Sequence, residues 1–566
     1  MKIIKLKISN YRNLDNVFID FDENCNFIVG ENNLGKSNLL ELMQIIFTNR
    51  SFKADDFFNN EKAIEVEFTL KLDNIEIGHF QDLFDDEKPN QINIICKQES
   101  IDDNLEFYHK ETNIYIPAVK IRGLNFIYYD SLRNPIQEVN FGKSRGVSRF
   151  LNNIVHRYLK ENKLENKDFI KEDKLAEVLN YVNKNITRIK IFKDFNIHVI
   201  HDKELENLLP KMLVFEDNNE NLLSKTGYGV QFLILITLSI LEKIEYILNK
   251  KNANNIFETE DGKKYISLVI GLDEPEIHLH PYMQRSLIKY LNNILLNQNE
   301  DFLKLIKELF GLNGFIGQLI LVTHSPNIIL NDYSQIIRFY SKENQTKIVS
   351  GASIELDEKL TKHLHLLFPF IKEAFFSRGV LLVEGDSEYA SFPHFAKTLE
   401  YDFDELGISL IQTRGEGGIE PAIKLLNKFS IPAVAIRDRD NIESSQPPIY
   451  LTDKRNFEEE LVEHNFNSEI LEEIFLEYDT QGENRKFQKG ALIKKAKNYG
   501  LEEPTRDLRY KDISNDIDKK VFFITWYSIN KSVTLGLLIG QKLNKDQIPP
   551  IYKTIIQKIV EMVSNE

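Results

Sequence analysis

The sequence has few cysteines and no long apolar segment. Cys25 and Cys96 are the only cysteines among 566 residues, which excludes a disulfide framework and a four-cysteine zinc site. The longest apolar run, residues 232–241, has only about half the length that a membrane span needs. The first residues alternate apolar and basic side chains, without the apolar stretch and cleavage site of a signal peptide. We therefore expect a cytoplasmic protein that has no membrane partner.

Positive charge is also in deficit, since the formal net charge is −15. Such a chain does not coat nucleic acid along its whole surface, so any contact with DNA must be concentrated in local basic patches. One candidate is the segment 485–511, which holds nine basic and three acidic side chains. A DNA contact and a solvated helix face are both compatible with this segment.

A phosphate-binding loop follows a strand pattern near the N-terminus. Residues 30–37 read Gly-Glu-Asn-Asn-Leu-Gly-Lys-Ser, between an apolar run at 27–29 and the start of a helical pattern. In this motif backbone N–H groups surround the phosphates, the lysine neutralises them and the hydroxyl binds Mg²⁺. The motif predicts that the chain binds ATP with Mg²⁺. The predicted nucleotide contacts are Gly30, Asn33, Gly35, Lys36, Ser37 and Asn38.

Further segments carry the groups that an ATPase needs. An apolar strand at 266–272 ends in Asp273 and Glu274, of which the first can reach Mg²⁺ and the second can polarise the attacking water. Residues 224–231 place a hydroxyl and two glycines before a long apolar helix, so that N–H groups can face an anion. A third strand pattern is followed by His324, which is predicted to sense the γ-phosphate; a core histidine is the alternative.

This order of motifs resembles the ABC-type ATPase heads of recombination-repair and chromosome-maintenance proteins, of the RecF and SMC kind. The resemblance implies an α/β head in which the loop 224–231 of one subunit caps the nucleotide bound to another. The active sites would then form only on dimerisation. The loop residues implied in this contact are Ser224, Gly227, Gly229 and Gln231. Lys225 and Thr226, between the serine and the first glycine, depart from the signature of transporters.

A second α/β unit, beginning near residue 371, has its own acidic strand ends. One apolar strand is followed by Glu384 and Glu388, and another by Asp438 and Asp440. Carboxylates at the ends of adjacent parallel strands converge at the mouth of an open sheet, where they repel one another unless divalent cations bind them. Oxygen ligands without cysteine favour Mg²⁺ or Mn²⁺, and a pair of such ions suits in-line attack on a phosphodiester.

The pattern Glu-Gly-x-x-x-Glu followed by Asp-x-Asp resembles a Toprim domain. An ABC-type head followed by Toprim resembles the OLD (overcoming lysogenization defect) family of ATP-regulated endonucleases, over essentially the entire chain. The metal ligands that the resemblance implies are Glu384, Glu388, Asp438 and Asp440. It adds Glu458, in a segment where Asn456 replaces the more usual aspartate, and it implies a catalytic role for Lys531. A lysine that merely starts a helix is the alternative for Lys531.

Four segments are predicted along the chain. Residues 1–148 and 187–368 form two parts of the ATPase domain, and residues 369–566 form the Toprim domain. Residues 149–186, where apolar side chains recur at helical spacing among many charges, form a helical insertion that we expect to serve dimerisation. The fold class is therefore α/β with an inserted helical unit.

The resemblance implies a metal-dependent DNA endonuclease that nicks or cleaves double-stranded DNA under the control of its ATPase domain. Within the family, the arrangement is similar to the nuclease subunits of Gabija anti-phage systems. This implies bacterial antiviral defence, a homodimer or homotetramer, and a superfamily 1 (UvrD-like) helicase partner. Retron-associated OLD nucleases are an alternative within the family. A non-cutting ATP-dependent DNA clamp, in which the four acids are dispensable, is the alternative from a different class.

Overall fold

A computed structural model describes most of the chain. The described residues are 1–81, 83, 87–131, 147–162, 177, 180, 215, 222–225, 227–249, 255–277, 279–356, 362, 367–413, 416–440, 442 and 444–564.

Strands and helices alternate along these residues and are numbered here in chain order. The strands are β1 (Lys2–Ser9), β2 (Val17–Asp20), β3 (Cys25–Gly30), β4 (Ile64–Lys71), β5 (Gln91–Gln98), β6 (Glu106–His109), β7 (Phe126–Tyr129), β8 (Phe257–Glu258), β9 (Lys264–Asp273), β10 (Gly314–Val322), β11 (Ile336–Lys342), β12 (Gln345–Ser350), β13 (Gly379–Val383), β14 (Ile408–Gln412), β15 (Ala433–Arg437), β16 (Ile449–Leu451), β17 (Lys486–Phe487) and β18 (Leu508–Arg509). The helices are α1 (Lys36–Thr48), α2 (Ala118–Ile121), α3 (Val147–Asn162), α4 (Tyr228–Asn249), α5 (Pro281–Leu295), α6 (Glu300–Phe310), α7 (Asp386–Thr398), α8 (Phe403–Leu406), α9 (Ile419–Lys428), α10 (Phe457–Asn465), α11 (Ile470–Tyr478), α12 (Lys489–Asn498), α13 (Asp516–Ile529), α14 (Val533–Lys542) and α15 (Pro550–Ser564).

The N-terminal unit contains two sheets. One is antiparallel, with the strand order β2-β1-β4-β5-β6. The other has the order β12-β11-β3-β10-β9-β7, and its central strands β11, β3, β10, β9 and β7 run parallel. Every residue of β3 and β10 is buried, which is the pattern of a parallel sheet that is covered on both faces.

The register of this second sheet brings the ends of its strands to one edge. Val322 of β10 lies beside Asp273 of β9 and beside Ile28 of β3. The chain leaves β3 at Gly30, so the loop after β3, the acids at the end of β9 and the residues after β10 meet at this edge. Ligands of open α/β sheets bind at this kind of edge.

The C-terminal unit is built on a four-stranded parallel sheet with the order β14-β13-β15-β16. β13 is buried throughout, and Leu382 on this strand lies beside Ala435 of β15. The carboxyl ends of the two central strands are therefore level with each other. The residues that follow them, Glu384 and Asp438, leave the sheet at the same edge.

One hydrophobic core joins the two units. It includes Leu319 of β10 and Leu382 of β13 among its buried members, and the rings of Phe375 and Phe429 pack edge to face at 4.9 Å. A connected core of this kind resists separation of the units, because parting them exposes apolar surface to water.

Arg338, on β11, reaches across this junction. Its side chain is only 2% exposed, and its guanidinium donates hydrogen bonds to the carbonyls of Phe429 (3.2 Å), Ser430 (3.0 Å) and Ser377 (3.1 Å). These carbonyls lie just beyond the ends of α9 and of the 3₁₀ helix Lys372–Phe376. A cation at this place satisfies backbone acceptors that the helices leave open.

The sequence predictions for the central strands and the long apolar helix are confirmed. The apolar strand predicted at 266–272 is part of β9, and the strand predicted before His324 is β10. The long apolar helix predicted after residues 224–231 is α4. Of the predicted insertion 149–186, the structure describes α3 and two further helical residues. The remainder lies outside the described residues, as do residues 189–200, whose sequence pattern predicts a strand. None of the helices in the described ranges combines the length and the apolar character that crossing a bilayer requires.

We expect Arg338→Met to destabilise the junction between the units. The substitution leaves three carbonyls without their donor in a buried place, at a cost of about 2 to 4 kcal/mol in the free energy of unfolding. Thermal unfolding of the full chain should show a lower melting temperature. Lys342→Met, at the exposed end of the same strand, is the control; an equal melting temperature for the two variants contradicts the prediction.

Candidate active sites

The phosphate loop has the backbone that its glycines permit. Gly30, at the end of β3, has φ 126°, and a Cβ atom there would lie 1.9 Å from the carbonyl oxygen of Phe339 on β11. Only glycine fits this close approach. Gly35 has φ 90° and is the N-cap of α1, which begins at Lys36. The loop thus presents the N-terminus of α1 to the cleft, as an anion site requires.

Lys36 is held over the loop by backbone carbonyls. Its ammonium donates to the carbonyl oxygens of Gly30 at 3.0 Å and Glu31 at 2.5 Å. Burial lowers the pKa of Lys36 to about 8, and the nearby carboxylates of Glu274 and Asp273 oppose this shift. Lys36 therefore lies beside the acids at the strand ends. The negative charge of a bound phosphate would stabilise its buried ammonium further.

Ser37 and Asp273 form the second part of this site. The Ser37 hydroxyl donates to Asp273 Oδ1 at 3.1 Å, and the Tyr128 hydroxyl contacts Asp273 Oδ2 at 3.4 Å. Burial raises the pKa of Asp273 to about 6, while the hydrogen bond from Ser37 opposes the shift. A hydroxyl and a carboxylate in contact at the end of a strand are the groups that hold Mg²⁺ in phosphate-loop proteins.

Glu274 and His324 face each other across the same edge. His324 Nε2 lies 3.2 Å from Glu274 Oε1, and the His324 backbone N–H donates to Glu276 Oε1 at 2.5 Å. Burial and then the charge of Lys36 lower the pKa of His324. His324 therefore favours its neutral form beside the Glu274 carboxylate. The hydrogen bond from its backbone N–H to Glu276 holds it in position.

A cleft of about 740 Å³ joins these groups. Its lining residues are Asn32, Asn33, Gly35, Lys36, Ser37, Asn38, Glu274 and His324. The structure thus brings together the predicted loop, the predicted second acid and the predicted histidine, which are separated by about 290 residues in the chain. Whether the site hydrolyses ATP stays a prediction.

The predicted signature loop lies outside this lining. Ser224 is exposed, Gly227 and Gly229 flank the start of α4, and Gln231 is 3% exposed and donates to the Leu223 carbonyl at 3.0 Å. Gln231 thus supports the turn within its own subunit. A contact of this loop with the nucleotide of another subunit stays a prediction.

Sequence reasoning missed several supports of the phosphate loop. Arg12 donates to Asn38 Oδ1 at 2.7 Å and is paired with Glu41 at 2.6 Å. Asn38 in turn donates to Asn13 Oδ1 at 2.8 Å. Tyr128, which contacts Asp273, lies in no motif. The contact of Glu276, which follows the acid pair, with the His324 backbone was not predicted.

A second cleft, of about 630 Å³, lies at the carboxyl edge of the C-terminal sheet. Its lining residues are Glu384, Gly385, Asp386, Ser387, Glu388, Gln412, Asp438 and Lys531. Three of the predicted acids and the predicted lysine therefore share one cleft.

Asp438 is tied to the end of β13 and to the start of α10. Its backbone N–H lies 3.4 Å from Glu384 Oε2, and its Oδ1 accepts a hydrogen bond from the Phe457 N–H at 3.1 Å. Burial raises the pKa of Asp438, with Lys531 opposing and Glu458 adding to the shift. Burial, followed by the charge of Asp438, raises the pKa of Glu388 as well. Like charges that are buried together in this way favour protonation or a bound cation.

Lys531 reaches the acids because two helices approach closely. A Cβ atom at Gly536, on α14, would lie 2.5 Å from the Ser387 carbonyl on α7. This contact fixes the start of α14 beside the acid cleft. Lys531 Nζ lies 2.7 Å from Glu458 Oε2. Burial opposes the charged form of Lys531, but Glu458, Asp438 and Glu388 together raise its pKa above the ordinary value.

Two predicted metal ligands are engaged by basic side chains. Glu458 is 2% exposed and pairs with Lys531, and burial raises its pKa. Asp440 has φ 37° and accepts a bond from Arg455 Nε at 3.2 Å. Arg455 was not predicted, because an arginine before a helix is common in any surface loop.

The chemistry of this donor set fits a divalent cation. All the predicted ligands are carboxylates, and Glu458 Oε1 is buried without a hydrogen-bond partner in the described part of the chain. In this conformation, however, no three His, Cys, Asp or Glu side chains among the described residues already form a set that could hold an ion. Binding of a cation by Asp440 and Glu458 would exchange the contacts with Arg455 and Lys531.

Family profiles match both units. The AAA ATPase domain profile matches residues 1–133 and 78–329, more than half of the chain. The profile described as "Overcoming lysogenization defect protein-like, TOPRIM domain" matches residues 375–440, which include all four predicted acids at the strand ends. The chain belongs to the AAA ATPase domain family and carries an OLD-like Toprim domain. The predicted α/β fold, an ATPase head followed by Toprim, is confirmed.

Individual relatives of the chain agree with the profiles. It is 23% identical to Endonuclease GajA of Bacillus cereus strain HuB5-5 over 463 residues, which cover 75% of this chain and 64% of that protein. It is 25% identical to the OLD nuclease of Thermus scotoductus over 186 residues, 32% of each chain. The match thus spans slightly less than two thirds of the Bacillus relative.

Among solved structures, the chain matches the C-terminal region of the Xanthomonas campestris OLD protein. The TM-score is 0.24 and the sequence identity 21%, with 34% of this chain and 96% of that chain covered.

Lys36→Ala should weaken nucleotide binding by about ten- to a hundredfold, because charge-assisted hydrogen bonds to phosphate are lost. Binding of a fluorescent ATP analogue to the full chain measures this effect. Lys62→Ala, which removes an exposed lysine outside the lining of the nucleotide cleft, should bind as the wild type does. Equal affinity of Lys36→Ala and Lys62→Ala contradicts the assignment.

The metal-free protein should lose stability as the pH rises above the ordinary range of carboxyl pKa values. The pKa values of Glu388 and Asp438 are raised in the folded protein, so the folded state binds more protons than the unfolded chain in this window. The resulting stabilisation is complete below the unfolded pKa values and is lost as the pH rises through the folded ones.

Melting temperatures in EDTA, measured from about pH 5 to about pH 9, test this linkage. Glu388→Gln removes one of the titrating carboxyl groups and should show a smaller decline than the wild type. An identical decline in both proteins would mean that the pKa of Glu388 is not raised by folding.

Proposed function

We propose that the chain is a divalent-metal-dependent DNA endonuclease that nicks or cleaves double-stranded DNA. The observation that carries the proposal is the shared cleft of Glu384, Glu388, Asp438 and Lys531 at the ends of adjacent parallel strands. The names of the Bacillus and Thermus relatives, an endonuclease and a nuclease, support the same reading.

In this proposal the acids bind the cation and Lys531 stabilises the phosphate. Glu384, Glu388, Asp438 and Asp440 hold the cation, with Glu458 as a further ligand. Bound there, Mg²⁺ or Mn²⁺ supplies Lewis-acid stabilisation of the phosphate and activation of water. Lys531 directs its ammonium at the scissile phosphate, where it offsets charge that develops as water attacks phosphorus and the sugar oxygen leaves.

The ATPase unit supplies the control. Residues 1–148 and 187–368 bind ATP and Mg²⁺ through the phosphate loop, with Glu274 positioned to polarise water and His324 to sense the γ-phosphate. The loop containing Ser224, Gly227, Gly229 and Gln231 completes the site of a second subunit, so the active form is a homodimer or homotetramer. Nucleotide controls cleavage only if it favours one arrangement of the Toprim unit, residues 369–566, over another.

Bacterial anti-phage defence is the proposed setting. Relatives named Endonuclease GajA and Septu protein PtuA match this chain, and a superfamily 1 helicase is the partner that we propose on the Gabija pattern. A retron-associated effector is the rival setting.

A non-cutting ATP-dependent DNA clamp is the second candidate, and one observation favours it. Among the described residues no three acids are already arranged to bind an ion, and Asp440 and Glu458 are paired with Arg455 and Lys531. This arrangement would also suit a C-terminal unit that holds its acids without using them.

Asp438→Asn should reduce nicking of supercoiled plasmid in Mg²⁺ or Mn²⁺ by at least about a hundredfold, because a ligand of the cation becomes a neutral amide. Glu384→Gln should do the same. Asp404→Asn, an exposed acid of the same unit, is the matched control and should nick as the wild type does. If Asp438→Asn and Glu384→Gln both nick plasmid as the wild type does, the nuclease proposal is wrong and the clamp remains.

A further inference from the structure

The basic helix α12 is fastened to the loop that leads into the acid cleft. Asn456 Nδ2 donates to the Tyr499 hydroxyl at 2.7 Å, and Arg455 donates to the Asn498 carbonyl at the C-terminal end of α12. Asn456 also caps α10, where Glu458 lies. These contacts hold the end of α12 at the rim of the cleft.

Two cations lie over one aromatic ring at this rim. The guanidinium of Arg455 is 5.6 Å from the centroid of Tyr499, and the ammonium of Lys495 is 6.0 Å from it. The Tyr499 hydroxyl also contacts Ser528 at 3.2 Å, so two partners hold the hydroxyl end of the ring in place. A fixed ring holds long basic side chains in place while their charged ends stay available.

The structure sorts the basic segment 485–511 into paired and unpaired members. The paired members are Arg485 with Asp479 at 2.6 Å, Lys486 with Asp507 at 2.8 Å and Lys497 with Glu503 at 3.6 Å. Lys494 and Lys495 form no ion pair with any of the residues that the structure describes. Among the described residues Lys489, Arg506, Arg509 and Lys511 also lack an ion pair, but Lys494 and Lys495 are the unpaired members at the end of α12 nearest the acid cleft.

Positive charge is in local excess there. Burial and then the charge of Lys531 lower the pKa of Lys495, with Lys494 and Arg455 adding to the shift. Glu458 opposes it, but this carboxylate is already paired with Lys531 at 2.7 Å. An anion between these side chains would relieve the repulsion.

We propose that Lys495, which lies over Tyr499, and its neighbour Lys494 bind a backbone phosphate of DNA beside the scissile phosphate, and that Arg455 joins them when a cation replaces it at Asp440. The inference rests on the proposed nuclease, because the acid cleft defines which phosphate is cut. Lysine and arginine contacts with phosphates set the register of a duplex without reading its sequence. This group therefore positions the DNA so that the scissile bond enters the cleft.

DNA binding by the full chain in EDTA tests the site without cleavage. The probe is a short fluorescein-labelled duplex, followed by anisotropy across a series of salt concentrations. Lys495→Gln should lower the affinity about three- to tenfold and reduce the slope of log K against log salt by about 1, as the loss of one phosphate contact predicts. Lys495→Arg, which keeps the charge, should retain most of the affinity.

Lys558→Gln is the matched control, since it removes the same charge from α15, where Lys558 pairs with Glu561 at 3.2 Å. An affinity and a salt slope of Lys495→Gln equal to those of Lys558→Gln overturn the proposed site, even if Asp438→Asn abolishes nicking. Conversely, a reduced slope in Lys495→Gln together with unchanged nicking by Asp438→Asn supports the phosphate site and rejects the nuclease.

Discussion

Both clefts depend on carboxylates that are brought together at the ends of buried parallel strands. Parallel register leaves the strand ends level, and burial raises the pKa of Asp273 to about 6 and raises that of Asp438 as well. In each unit a lysine lies near the buried carboxylates and partly offsets the free-energy cost of burying their charge: Lys36 near Asp273, and Lys531 beside Glu458. The remaining buried charge can be neutralised by ligands: a cation would neutralise the carboxylates, and a phosphate would neutralise the lysine.

The two clefts belong to one packed body. Arg338, on the strand next to the phosphate-loop strand, binds carbonyls at the helix ends of the Toprim unit. Glu31 of the phosphate loop lies 3.8 Å from Arg378, which directly precedes β13. A movement of the phosphate loop would therefore change its contact with Arg378, at the start of the strand that leads to Glu384. These contacts connect the phosphate loop with the strand that ends at the acid cleft.

The parts of the fold that sequence predicted are those with a strong local signal. β3, β9, β10 and β13 are largely buried and mostly apolar because both faces of their sheets are covered, and each is followed by a motif. Arg338 gave no such signal, because a single arginine in a strand looks like an exposed residue until the second unit covers it. The role of Gly536 could not be predicted either, since this glycine allows the close approach of α14 to α7, which depends on the tertiary structure.

The sequence by itself determined which chemical groups stand at the strand ends, because a motif fixes its residues within one turn of the chain. Tertiary structure decided which of these groups meet: Lys531 pairs with Glu458, Arg455 pairs with Asp440, and Lys495 is left facing other cations. The reason is that electrostatic energy depends on separation in space and on burial, and neither follows from spacing along the chain.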